Sequence, residues 1–334
     1  MNRVTSILGI KYPLVQGPMS WLTDAKFVAA VSNAGGLGIL GPNAGQHTVT
    51  TSADETAQRM REQIKQVQQL TDQPFAVTLI VAGGSTSIFT QKILAVVIAE
   101  HVPVVLLNSL GGVDSAAYGV DPATMATLKA HGIKTVVRSL QPSLKDAQAV
   151  EAQGADIYVA TGFDEGGTMP GGELGAFAIM PLIADAVQLP VLLAGGIGDA
   201  RTVQAAFALG AEGVFVGSRL IPTVENPAAD NVKQLIVDST AEDLALFRTQ
   251  PDYYRSLPTK LREQLIENDR TLPAAQAKLA NAKLMGGTSG MRLGMLAGDF
   301  EHGYVSVGTG ISMVHAIQPV QAVVDELMQG YPQA

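Results

Sequence analysis

Two apolar runs in the second half of the chain end in glycines, and each is followed by a stretch with the pattern of a helix. The first run continues into "LLAGGIGDART", where Gly195, Gly196 and Gly198 leave backbone N–H groups uncovered. The second is "GVFVGSRLI", where Gly217 precedes Ser218, whose hydroxyl is a further donor. Bare amides beside the unpaired N–H groups of a helix start suit a phosphate group. The alternative is that these glycines only make tight turns between strand and helix.

Eight short apolar runs alternate with helical stretches and must position these glycines. The runs are rich in Val, Ile and Leu, as buried strands are. They span residues 12–17, 36–41, 75–81, 102–108, 133–139, 155–161, 189–196 and 212–217. This alternation predicts an α/β fold, a (β/α)8 TIM barrel. The runner-up is a doubly wound parallel sheet, and the absence of a GxGxxG motif after the first strand argues against it.

In a TIM barrel the active site lies at the carboxyl ends of the strands, and phosphate often binds after strands seven and eight. The two glycine runs fall there. The alternation stops after residue 220, which predicts a barrel formed by residues 1–221 and about 301–334. Residues from about 222 to 300 are predicted to form a small helical domain over the carboxyl face of the barrel. Within the barrel, the helical stretch "DETAQRMREQIKQVQQL" is predicted to begin with Asp54 as its N-cap.

Composition narrows the class of partner. The 334 residues carry 22 basic and 30 acidic side chains, a net charge of −8, which does not favour nucleic acid or a polybasic membrane anchor. No run approaches the roughly 18 apolar residues of a membrane helix. The chain has no cysteine, so thiolate chemistry is excluded. We expect a cytoplasmic protein with a small-molecule substrate, and the sequence leaves a homodimer open.

The glycine segment "LLAGGIGDARTVQAAFALGAEGVFVGSRLI" resembles the FMN-phosphate segment of the nitronate monooxygenase family, once called 2-nitropropane dioxygenases. The FMN-dependent enoyl-ACP reductases share that segment and fold. "YPLVQGPM", "SNAGGLGILG" and "MRLGMLAGDFEHGYVSVG" also match, so the resemblance covers nearly the whole chain. It implies FMN as the cofactor, with NAD(P)H as the electron donor if the protein is a reductase.

The resemblance assigns further residues to the flavin. Gly17, Pro18 and Met19 match the segment after strand one whose backbone lies against the flavin ring, although Met19 has the alternative of a core methionine. Arg138 ends strand five, where a cation would stabilise the reduced, anionic flavin; the alternative is a surface arginine. Thr78 stands where the family usually has Asn in strand three.

The loop "ATGFDEGGTMPGGELG" after strand six departs from the family's Gly-x-Glu-x-Gly-Gly-His. Gly162 matches the flavin-contacting glycine and Asp164 the glutamate, whereas Thr168 stands at the catalytic histidine. A threonine hydroxyl cannot accept a proton at neutral pH. Asp164 and Glu165 are candidate substitutes, with solvated loop carboxylates as the alternative. Among the five histidines His47 is the best candidate, because its loop after strand two could face the site.

The missing histidine bears on the choice between reactions. A nitronate is already an anion and needs no base, whereas a neutral nitroalkane does and an enoyl thioester needs a proton donor. The first hypothesis is therefore an FMN-dependent oxidoreductase that oxidises alkyl nitronates with O2. The second is an NAD(P)H-dependent enoyl-ACP or quinone reductase. The third is a flavin-binding protein without turnover.

Overall fold

The computed structural model describes residues 2–81, 86–109, 118–287 and 289–332. Its main element is a barrel of eight parallel strands, one from each predicted apolar run. They are β1 (Leu14–Gln16), β2 (Gly38–Leu40), β3 (Phe75–Val81), β4 (Val104–Ser109), β5 (Lys134–Ser139), β6 (Ile157–Thr161), β7 (Val191–Ala194) and β8 (Gly213–Val216). The strand order is β1-β8-β7-β6-β5-β4-β3-β2, and a parallel bridge from Val15 to Leu37 closes the ring. The predicted TIM barrel is confirmed.

The strands are apolar throughout because both of their faces are buried. Alternate side chains of each strand point to opposite sides, so β3 directs Ala76 into the barrel interior and Val77 toward the surrounding helices. The short helix α1 (Arg3–Leu8) contributes Val4 and Leu8 to the interior cluster. One end of the barrel interior is thereby closed, which leaves the other end for a site.

The helices surround the barrel. They are α2 (Ala25–Asn33), α3 (Ala53–Leu70), α4 (Ile88–Ala99), α5 (Pro122–Ala130), α6 (Leu144–Ala152), α7 (Ala176–Ala186) and α8 (Ala200–Ala208). The prediction that Asp54 caps α3 is wrong. The N-cap is Ser52, whose Oγ accepts a hydrogen bond from the Glu55 N–H at 3.2 Å. Asp54 lies in the first turn, where its negative charge interacts favourably with the helix dipole. None of the described helices combines the length and apolar character needed to cross a membrane.

The segment after β8 is not purely helical as predicted. It contains helices α9 (Asp230–Val237), α10 (Lys260–Thr271), α11 (Ala274–Met285) and α12 (Ser289–Met291), and also an antiparallel hairpin of β9 (Ala245–Arg248) and β10 (Tyr253–Ser256). The stretch "PDYYRSLPTKLREQLIEND" therefore starts as a strand, because its aromatic residues favour β structure and Pro258 separates them from the helix. Its helix starts only after Thr259, which caps α10.

The chain then returns to the barrel. The last helix is α13 (Val320–Met328), which packs against α2 and α8 and so fills the place of the helix that would follow β8. The segment 306–310 just before it crosses the carboxyl ends of the strands. The division of the chain into two domains stays a prediction.

Candidate active site

A cavity of about 290 Å³ lies at the carboxyl ends of the barrel strands. Most of the residues predicted from the sequence border it, although they come from six different strand ends. They are Gly17, Pro18, Met19, Thr78, Arg138, Asp164, Glu165, Thr168, Gly195, Gly196, Gly217 and Ser218. The barrel therefore brings together side chains that are up to 201 positions apart in the chain. Their roles toward a ligand stay predictions.

The loops after β7 and β8 expose backbone on one side of the cavity. Gly195 and Gly196 have φ angles of +101° and +72°, a conformation that residues with a side chain rarely adopt. A Cβ built on Gly217 would have no atom within 4 Å, so the space beside it is open. A short 3-10 helix begins at Ser218, and the first N–H groups of a helix have no partner within it. This arrangement fits a phosphate group.

The segment 306–310 completes this side of the cavity, and sequence analysis did not predict it. The Gly308 N–H donates to Ser218 Oγ at 2.8 Å, and the Thr309 N–H donates to the Asp164 carbonyl at 2.9 Å. A Cβ on Gly310 would lie 2.9 Å from the Ile197 carbonyl. The segment thus contacts the loops after β6, β7 and β8 together. Its "VGTG" is a glycine-rich signal that could have indicated a close backbone approach.

An ion pair in the cavity joins β5 to the loop after β6. Arg138 donates from Nη2 to both carboxylate oxygens of Glu165 at 2.6 Å, and from Nη1 to Asn108 Oδ1 at 2.9 Å. Burial raises the pKa of the Glu165 carboxyl from 4.5 to about 7, although Arg138 opposes that shift. Asn108 ends the fourth apolar run as its one polar residue, a signal that sequence analysis left unused.

The second carboxylate of this loop has a structural partner. Asp164 Oδ2 accepts a hydrogen bond at 2.6 Å from the N–H of Ala176, the first residue of α7. The N-cap position of α7 is Gly175, which has no side chain to satisfy that N–H. Asp164 supplies the missing acceptor from a distant loop position. Its carboxylate is therefore committed to the helix start.

Thr168, at the position of the family histidine, forms a hydrogen bond with a residue that sequence analysis missed. Its Oγ1 lies 2.7 Å from the hydroxyl of Tyr254 on β10, and both residues border the cavity. The Tyr254 ring packs edge-on against Tyr304, with ring centroids 6.0 Å apart. The cavity thus contains a pair of hydroxyl groups at the position that the resemblance assigns to the family histidine.

Three predicted site residues do not border the cavity. A Cβ on Gly162 would lie 2.4 Å from the Ala176 nitrogen, and one on Gly198 would lie 2.4 Å from the Gly310 carbonyl. These two glycines allow close packing of backbone on backbone, which explains their residue type without a ligand. His47 is exposed, and its carbonyl accepts a hydrogen bond from Arg292 at 3.2 Å.

The residues of the cavity fit FMN. Thr78 Oγ1 is buried at the cavity wall with no hydrogen-bond partner, so it has an unused donor and acceptor for a ligand. The glycines after β7 and β8 leave room for the phosphate, and Arg138 places a cation among the strand ends. Among the described residues, no group of three or more His, Cys, Asp or Glu side chains could hold a metal ion.

The chain is therefore an α/β-barrel protein with a glycine-lined cavity at the carboxyl face of the barrel. The nitronate monooxygenase family model matches residues 1–330, and the chain belongs to that family. The family and the similar proteins are oxidoreductases. A probable nitronate monooxygenase of Staphylococcus aureus (strain Newman) is 28% identical over 81% of this chain and 82% of its own length.

Two further proteins are similar at 30% identity. One is (3aS,4S,5R,7aS)-5-hydroxy-7a-methyl-1-oxo-octahydro-1H-indene-4-carboxyl-CoA dehydrogenase of Rhodococcus jostii (strain RHA1), matched over 89% of this chain and 76% of its own. The other is the structure of FabK from Thermotoga maritima, with a TM-score of 0.83 over 99% of this chain and 96% of that chain. A nitroalkane oxidase structure from Streptomyces ansochromogenes, at 24% identity and a TM-score of 0.76, shows the same fold.

Proposed function

We propose that the protein is an FMN-dependent oxidoreductase that oxidises alkyl nitronates with O2. The observation that carries this proposal is the state of the possible bases. Among the described residues that line the cavity there is no histidine, and both carboxylates already have partners. Asp164 accepts from the start of α7, and Glu165 is paired with Arg138 through both oxygens. A substrate that is already deprotonated suits such a site.

The chain supports FMN binding through backbone and one cation. The loops with Gly195, Gly196 and Gly217 would hold the phosphate, and Thr78 and Arg138 would supply polar contacts to the ring system. When bound, FMN supplies the redox chemistry that none of the side chains in the cavity can perform. Arg138 keeps the cavity from repelling an anionic substrate, because its charge compensates that of Glu165.

The nitronate and the neutral nitroalkane differ in one proton on carbon. Removing that proton requires a base within hydrogen-bond reach, and general-base assistance is typically worth roughly 10²- to 10⁴-fold. Thr168 cannot serve, and Glu165 would first have to leave a bidentate pair. We therefore expect oxidation of nitronates to be much faster than oxidation of the corresponding nitroalkanes.

A second candidate is NAD(P)H-dependent reduction of an enoyl thioester. Its support is that the Rhodococcus relative acts on a carboxyl-CoA compound. That relative and FabK are each 30% identical to this chain. The hydroxyl pair of Thr168 and Tyr254 could donate a hydrogen bond to a thioester carbonyl. This candidate requires that a nicotinamide cofactor reduce the flavin directly.

Anaerobic absorbance spectra of the flavin separate the two candidates. The purified holoenzyme is mixed with propionate 3-nitronate in one cell, and with NADH or NADPH in two others. Rapid bleaching by the nitronate, with slow or no bleaching by either nicotinamide, is the expected result. Bleaching by a nicotinamide alone, followed by reoxidation with an enoyl-CoA, would replace the first proposal with the second.

A further inference from the structure

Three consecutive residues of β10 contact the loop after β6. Tyr253 accepts at its carbonyl from the Met169 N–H at 3.2 Å, and Arg255 Nη2 donates to the Phe163 carbonyl at 2.6 Å. Tyr254 lies between them and meets Thr168. The contacts on either side of Tyr254 fix its position along the loop. Its ring is held in turn by Tyr304, so its hydroxyl occupies a defined place in the cavity.

The direction of the hydrogen bond between the two hydroxyls decides what the pair can do. A hydroxyl has one hydrogen to donate and two lone pairs to accept. If Thr168 donates to the Tyr254 oxygen, the Tyr254 hydrogen is free to point to a ligand. Hydrogen bonds in such a chain strengthen one another. Burial raises the pKa of the Tyr254 hydroxyl above its usual value, so the residue keeps its hydrogen at neutral pH.

We propose that Tyr254 donates a hydrogen bond to an oxygen atom of the substrate nitro group, and that Thr168 is the residue that orients this donor. The inference rests on the proposed oxidation of nitronates. It places at the histidine position a donor to an anionic oxygen instead of a base. The charged groups that face Tyr254 are Arg138 and Glu165, which are paired with each other. A nitronate can therefore approach the hydroxyl without a net repulsive charge.

The main test compares Tyr254→Phe with Tyr304→Phe. Each change removes one hydroxyl from a buried or partly buried ring of the same aromatic pair, but among the two only Tyr254 borders the cavity. A hydrogen bond to a charged group is worth enough for a loss of about 10- to 100-fold. We expect kcat/KM for propionate 3-nitronate to fall by that factor in Tyr254→Phe and by less than about twofold in Tyr304→Phe. Retention of FMN, measured by absorbance, should be the same in both variants.

A second readout does not depend on turnover. Nitrate is a planar, unreactive anion with the same pair of oxygens as a nitronate group. Its binding to the holoenzyme, in which the FMN phosphate would occupy the glycine loops, is measured by calorimetry. We expect the Kd of nitrate to rise at least about tenfold in Tyr254→Phe. Equal nitrate affinity and equal kcat/KM in Tyr254→Phe and the wild type would overturn the proposal.

Substitutions at Thr168 test the orienting role. Thr168→Val removes the hydroxyl at nearly constant volume, whereas Thr168→Ser keeps it. We expect Thr168→Val to weaken nitrate binding and Thr168→Ser to restore it, a rescue that a purely steric role would not give. If the wild type fails to oxidise nitronates but nitrate affinity still depends on Tyr254, the proposed function fails and the donor role stands. If both Thr168 variants bind nitrate as the wild type does, the orienting role is refuted.

Discussion

Glu165 offers a test of how burial and pairing compete in this cavity. The residue is about 9% exposed and its carboxylate is paired with Arg138, yet burial outweighs the pairing and raises the pKa from 4.5 to about 7. Because the folded-state pKa lies above the unfolded-state value, the group stabilises the fold fully below about pH 4.5. That contribution is lost as the pH rises through about 7. Between pH 5 and pH 8 the linkage amounts to about 2.5 kcal/mol.

The substitution Glu165→Gln removes this titration and keeps the shape of the side chain. We expect the free energy of unfolding of the wild type, relative to Glu165→Gln, to be about 2.5 kcal/mol more favourable at pH 5 than at pH 8. Urea unfolding of the flavin-free proteins at both pH values measures it. Glu173→Gln, which changes an exposed glutamate of the same loop, is the matched control. If the wild type and Glu165→Gln show parallel pH dependences, the pair with Arg138 dominates and the reasoning is wrong.

Three further predictions follow from the cavity. The purified protein should be yellow, and acid treatment should release FMN and not FAD, because the glycine loops provide for one phosphate and the first strand lacks a dinucleotide motif. Chromatography of the released flavin measures this. Gly217→Asp and Gly196→Asp should both abolish FMN retention while circular dichroism still reports a folded barrel. Gly217→Asp should destabilise the fold less than Gly196→Asp, since the φ of −108° at Gly217 suits any residue. A variant that kept FMN at wild-type affinity would place the phosphate elsewhere. Wild-type turnover, followed as oxygen uptake, should be far faster with nitronates than with neutral nitroalkanes. Thr168→His should raise only the rate with nitroalkanes. Equal wild-type rates with the two substrates would show that the site already contains a base.

Much of this site could be predicted because a barrel brings the ends of its strands to one face. The alternation of apolar runs locates those ends, so Arg138 at the end of β5 and Gly217 at the end of β8 could be placed in one cavity from the sequence alone. The pattern also indicates which loops lie there. It does not show which groups within a loop are already hydrogen-bonded, such as the Asp164 carboxylate, which accepts from the first residue of α7.

The contributions from outside the strand ends were not predictable in the same way. Tyr254 reaches Thr168 across 86 positions because a hairpin folds over the barrel, and no periodicity in the sequence encodes that contact. The aromatic stretch that contains it favoured a strand, but its neighbouring helix pattern concealed the signal. Gly162 and Gly198 show the opposite case. Both are glycines in the predicted loops, yet the backbone packed against each already requires a glycine, and their roles toward a flavin stay predictions.

The late position of segment 306–310 in the chain has a consequence for the order in which the protein is synthesised and folds. A chain grows on the ribosome from its N-terminus, so the strands and the loops up to Ser218 are made well before this segment. Yet Gly308 and Thr309 form the last wall around the glycine loops. The site is therefore finished only when nearly all of the matched family region has been synthesised. Under the proposed function, the complete binding site for the FMN phosphate therefore forms only late in synthesis.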